Sequence, residues 1–140
     1  MDVPDQVRRV IEIRAPRERV WSALTEPSEL LRWFPTRRAE IDLRTGGEAS
    51  FVWEDGADEA VVDVVDPLDR LVFRWRPAGL DRPFTTVSFE LEDVEDGTRL
   101  TLVESGFASL PDQIARQSQR GNDAGWLDEL EELGTYLEAA

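Results

Sequence analysis

Between residues 39 and 104 the chain consists of short stretches in which apolar and polar residues alternate, separated by turn-forming residues. A period of two belongs to a strand with one buried face, so this span predicts strands rather than helices. Ala49, Phe51 and Trp53 share one parity. So do Leu71, Phe73 and Trp75, then Val87, Phe89 and Leu91, then Leu100 and Leu102. Ala60, Val62 and Val64 alternate in the same way, and Ala39 to Leu43 is a sixth candidate. Thr45-Gly46-Gly47, Asp55-Gly56, Asp66-Pro67 and Asp96-Gly97 mark turns, and residues 77–84 form a longer loop containing proline and glycine. Short, regularly spaced strands of this kind predict one continuous antiparallel sheet.

The flanks differ. Val7 to Arg14 reads as a first strand, with Ile11 and Ile13 pointing one way. Ala15-Pro16 ends it, and Val20, Trp21 and Leu24 then fall on one face of a short helix. Pro27 restarts a second short helix with Leu30, Leu31, Trp33 and Phe34 as its apolar contacts, and Pro35 stops it. Near the other end Trp126, Leu130, Leu133 and Leu137 recur at helical spacing, with Asp128, Glu129, Glu131 and Glu132 opposite. Residues 111–119 have the pattern of a separate helical turn or two, and Gly121 and Gly125 interrupt continuity with the last helix. The whole, residues 1–140, reads as a single α+β domain in the order β-α-α-β-β-β-β-β-β-α.

Composition narrows the chemistry. Cysteine and histidine are both absent, which excludes disulfides, thiol nucleophiles and every catalytic triad built on histidine. The net charge of −14 disfavours nucleic acid and anionic membranes as partners. All the basic residues are arginine. No cofactor motif is present, and the cluster Glu54, Asp55, Asp58 and Glu59 matches no defined metal cage, so it reads as a solvated hairpin end. With no apolar run of membrane-spanning length and no signal-like N-terminus, the expectation is an acidic, soluble, cytoplasmic protein.

Three segments carry a family resemblance: A-P-R-E-R-V-W-S-A-L-T-E-P-S-E-L-L-R-W-F from Ala15, G-T-R-L-T-L-V-E-S-G-F from Gly97, and G-W-L-D-E-L-E-E-L-G-T-Y-L from Gly125. Together with the element order they resemble the START/polyketide-cyclase superfamily (SRPBCC), and within it the bacterial branch named after the activator of the heat-shock-protein-90 ATPase. The resemblance implies a helix-grip fold, a curved seven-stranded sheet around a long C-terminal helix. It also implies a hydrophobic cavity between sheet and helix. Its inner wall would comprise Ile11, Ile13, Phe51, Trp53, Phe73, Trp75, Val87, Phe89, Leu100 and Leu102, faced by Trp126 and Leu130, with Trp33 and Phe34 at the mouth. The same residues would also serve as ordinary core, and Trp53 and Trp75 are bulky enough to fill the space.

Two charges share parity with this inner set, Arg9 and Glu104. Because the resemblance makes the first and last strands neighbours, placing Ile11 opposite Leu102 puts Arg9 opposite Glu104, an expected ion pair inside or at the rim. Glu104 is alternatively a polar anchor for a ligand. Arg74 and Arg76 have the outer parity, and Arg82 lies in the long loop. Three functions follow. The first is a carrier or sensor binding a small hydrophobic or aromatic molecule. The second is a cyclase- or aromatase-like enzyme, for which Glu104 is a weak catalytic candidate that needs a raised pKa. The third is a chaperone-interacting domain. A homodimer is left open.

Overall fold

The computed structural model describes residues 6–34, 38–52, 57–76, 85–106 and 128–138. Strand β1 (Gln6–Ile13) is followed by helices α1 (Arg17–Thr25) and α2 (Pro27–Trp33). Then come β2 (Arg38–Ile41), β3 (Glu48–Val52), β4 (Ala57–Asp66), β5 (Arg70–Arg76), β6 (Thr85–Val94) and β7 (Gly97–Ser105). Helix α3 closes the chain over residues 128–138. The strands form one antiparallel sheet in the order β1-β7-β6-β5-β4-β3-β2. This is the helix-grip α+β arrangement, with the two chain-terminal strands side by side and β2 at the far edge.

Local chemistry accounts for the helix ends. The Pro16 carbonyl opens α1 by accepting from the Arg19 and Val20 amides at 3.0 and 3.1 Å. Glu26 closes α1 through its N–H to the Ser22 carbonyl at 2.9 Å, and its own carbonyl opens α2 by accepting from Glu29 and Leu30. Pro27 occupies the first turn of α2, where its missing N–H has no helical partner to lose. One residue therefore joins the two helices into a tight corner.

Alternation gives the sheet one apolar face. Phe51, Val62, Leu71, Phe73, Val87, Phe89, Leu100 and Leu102 are all buried there, beneath Leu130, Leu133 and Leu137 of α3. Two details depart from the simple pattern. In β4 the register shifts between Val62 and Val64, so that Val65, opposite Leu71, packs on the core and Val64 does not. A bulge adds one residue and inverts parity beyond it. In α2, Leu31 is 46% exposed and contributes nothing to the core.

The β1–β7 register also differs from expectation. Ile11 lies opposite Leu100, Arg9 opposite Leu102, and Val7 opposite Glu104. A slip of two residues preserves the faces, so parity alone could not choose between the two registers. Contacts at the end of the ladder favour the observed one. The Thr98 hydroxyl donates to the Ala15 carbonyl at 2.8 Å. Gly97 sits so close to β1 that a Cβ there would lie 2.0 Å from the Ile13 carbonyl oxygen. Gly97→Ala is therefore expected to force backbone apart and cost about 1–3 kcal/mol, read as a lower urea midpoint at unchanged slope.

Candidate ligand-binding site

A chain of aromatic rings crosses the concave face. Trp33 and Phe34 are 5.2 Å apart at the end of α2, and Phe34 meets Phe51 of β3 edge-on at 5.9 Å. Phe51 stacks on Trp75 of β5 at 4.7 Å and meets Phe73 edge-on at 6.3 Å. Phe73 then meets Phe89 of β6 at 6.5 Å. These rings, with Leu24 of α1 and Leu30 of α2, line an apolar crevice. Its volume is about 20 Å³, room for a single water.

The helical wall of this crevice comes from α1 and α2. No described residue of α3 lines it. Among the sequence-expected residues, Trp33, Phe34, Phe51, Phe73, Trp75 and Phe89 converge on it. Val87, Leu102 and Leu130 are buried in the surrounding core, Ile13 and Leu100 likewise, and Ile11 packs against it half-buried. Trp53, Trp126, Arg82 and residues 111–119 lie outside the described residues. Trp33 is anchored as well as placed at the crevice: its indole N–H donates to the Ala23 carbonyl at 2.9 Å, tying α2 to α1.

Polar groups reach this face at two points. The Trp75 indole N–H donates to Asp58 Oδ2 at 3.0 Å. Asp58 lies opposite Phe51 and is half-buried, so it is not part of a purely solvated hairpin end. The Thr85 hydroxyl donates to Glu104 Oε2 at 2.6 Å, and both residues are fully buried. Glu104 is the one buried ionisable side chain among the described residues. Arg9 is half-buried and sits diagonally from it across β1 and β7, a spacing that long side chains span. Arg74 is exposed on the outer face.

Sequence reasoning did not find Asp58, Thr85, Leu24 or Leu30 as site neighbours. The signal for Thr85 was present in its parity with Val87. It likewise missed the group that holds the helices over the crevice. Arg19 of α1 pairs with Glu29 of α2. The Tyr136 hydroxyl of α3 donates to the same carboxylate at 2.9 Å and accepts from Arg19 at 3.2 Å. The Arg19 guanidinium also lies 5.3 Å from the Tyr136 ring centre.

Burial alone would raise the Glu29 carboxyl, but hydrogen bonds from Arg19 and Tyr136 outweigh it and hold it below the usual range. A depressed folded value adds stability that is present above the unfolded value and lost as pH falls through the folded one. Glu29→Gln should therefore lower stability at pH 7 by about 1–3 kcal/mol and flatten the acid limb of the stability–pH curve.

Glu129 behaves oppositely. Expected on the solvated side of α3, it is half-buried, and burial, then Asp128 and Glu132, raise its carboxyl to about 7. A raised carboxyl makes the fold lose stability as pH rises from the unfolded value through about 7. Glu129→Gln is expected to stabilise the protein at pH 8 by about 1 kcal/mol, and by less at pH 5, in parallel urea titrations.

No group of three acidic, histidine or cysteine side chains among the described residues is placed to hold a metal ion. No helix among them is long and apolar enough to cross a membrane.

An antiparallel sheet gripping a terminal helix, with an aromatic crevice on its concave face, defines a helix-grip domain of the SRPBCC class. The profile of the Activator of Hsp90 ATPase homolog 1-like protein family matches residues 14–138, and the chain belongs to that family. Solved structures agree. DynU16, a putative protein in the dynemicin biosynthetic locus, is 31% identical with a TM-score of 0.80. The match covers 96% of this chain and 48% of that one, so this chain spans about half the length of DynU16. Protein MLL2253 from Mesorhizobium loti is 26% identical with a TM-score of 0.85, over 96% of this chain and 98% of that one. The Aha1 dimer from Colwellia psychrerythraea, at 23% identity, 0.79 and coverage of 95% and 96%, shares the fold. No match was found among the curated proteins.

Proposed function

We propose that this domain binds a small hydrophobic or aromatic molecule on the concave face of the sheet, as a carrier or sensor. The observation that carries the reading is the convergence of six aromatic rings from α2, β3, β5 and β6 on one apolar crevice. Flat π-faces with perpendicular neighbours complement a planar ligand better than an aliphatic one. At about 20 Å³ the crevice admits such a ligand only if rings from the helix layer move aside. Phe34, which caps the end of the seven-residue α2, is the ring placed to do so, whereas Trp33 is tied to the Ala23 carbonyl. The setting of DynU16 in a biosynthetic locus is in keeping with a small-molecule ligand. Arg9 and Glu104 form the polar end of this face in the same reading, as an ion pair across β1 and β7.

Titration with planar aromatic probes, followed by tryptophan fluorescence and thermal shift, tests the proposal. Saturable quenching together with a Tm that rises with ligand concentration is expected. Phe34→Leu, which removes part of the plug, should tighten binding severalfold. Absence of both signals across bicyclic and tricyclic probes would sink the reading.

A further inference from the structure

We propose that strand β1 is a docking edge for a second copy of this chain, which pairs with it antiparallel about a two-fold axis at Val10. The proposal goes beyond the ligand-binding reading and does not depend on it. β1 pairs with β7, and among the described residues no strand covers its other side. That leaves one backbone edge of an eight-residue strand able to take another strand. Natural edges are usually blunted by shortness, proline or a bulge. The other edge strand, β2, is only four residues long. β1 contains no proline, and its register with β7 runs from Gln6 to Ile13 without a shift. Val10 on its outer face is 41% exposed, the one exposed large apolar residue within a strand among the described residues.

The residues of β1 determine what covers this edge. A two-fold pairing that keeps the concave faces on one side sets residues of like parity opposite one another. Centred on Val10, it puts Val10 against its own copy, Arg8 against Glu12 and Glu12 against Arg8, with Arg9 against Ile11 and Val7 against Ile13 on the inner face. Arg8 and Glu12 are exposed on the outer face. Glu12 meets Arg99 of its own sheet at 3.3 Å, so Arg8 of the second copy adds a second cation beside that carboxylate. The neighbouring registers are worse. Centring on Arg8 or Arg9 opposes an arginine to itself, centring on Ile11 opposes Arg8 to Arg14, and centring on Glu12 opposes two carboxylates. Among these only the Val10 register is complementary in charge, and it is complementary to the strand's own reversed sequence. That commits the edge to a second copy of the chain. The two seven-stranded sheets join into one, and the two-fold closes the assembly at a dimer.

Sedimentation equilibrium of the full chain, from about 10 µM to about 1 mM, tests the proposal. One strand edge makes a small interface, so a dimer with a Kd of about 10–100 µM is expected. Val10→Glu sets two carboxylates face to face at the axis, at a position exposed in the monomer. It should weaken the dimer at least about tenfold while the monomer keeps its circular dichroism. The chain has no cysteine, so Val10→Cys carries a single thiol. Its two copies would face each other at about 4.5–5.5 Å between Cβ atoms, close to disulfide geometry. Under mild oxidation Val10→Cys should form covalent dimer at least about tenfold faster than Leu31→Cys, a comparably exposed site on α2. This variant decides the matter if Val10→Glu does not fold. A monomer throughout the concentration range, a dimer that Val10→Glu leaves at wild-type strength, or equal cross-linking at the two positions would each overturn the proposal.

Discussion

The stacked and perpendicular rings centred on Phe51 hold the layers of this domain together. Phe51 touches Phe34 of the helix layer, Trp75 through its face, and Phe73 through its edge. Such pairs contribute about 0.5–1.5 kcal/mol each beyond the area they bury. Remove the ring at the centre and Phe34 loses its edge contact with the sheet, while Trp75 and Phe73 of β5 lose their packing against β3. The same rings wall the crevice. The interactions that close the concave face are therefore those that the proposed ligand would have to replace, so in that reading stability and binding would draw on one set of side chains.

Charge is the second constraint. Thirty acidic side chains face sixteen arginines, so cations are scarce. Arginine's planar fork lets one cation serve two acids, which a lysine point charge does less well. Arg17 at the start of α1 reaches Asp69 in the β4–β5 turn and Asp93 in β6. Arg99 bridges Glu12 and Glu92 across three neighbouring strands. Arg19 joins Glu29 to Tyr136. The exposed bridges stabilise little individually. The part-buried Arg19 group matters more because it joins all three helices above the crevice.

Most of the architecture was legible in the sequence because faces of strands and helices follow from period alone. The parities of Phe51, Phe73, Trp75, Val87 and Phe89 all place them correctly, as does the Leu130, Leu133, Leu137 stripe. Parity failed where an extra residue enters a strand, at Val64, since no residue type announces a bulge. It also could not separate two registers that keep the same faces, which is why Glu104 faces Val7 rather than Arg9. The lining of the crevice, the candidate site, was legible to a similar extent. Its aromatic members were, because they are bulky and in phase. Thr85 and Asp58 were not, since a threonine in a strand and an aspartate near a turn have ordinary roles that outweigh the special one.

By itself the sequence determined the fold class, the single apolar face of the sheet and the absence of histidine and cysteine chemistry. These depend on residue type and spacing along one element. Only the tertiary structure decided that the crevice lies under α1 and α2, that the aromatic rings nearly fill it, and that Thr85 delivers a hydroxyl to a buried Glu104. Those facts depend on register and on how side chains from separate strands share one space, and nothing within a single element encodes them.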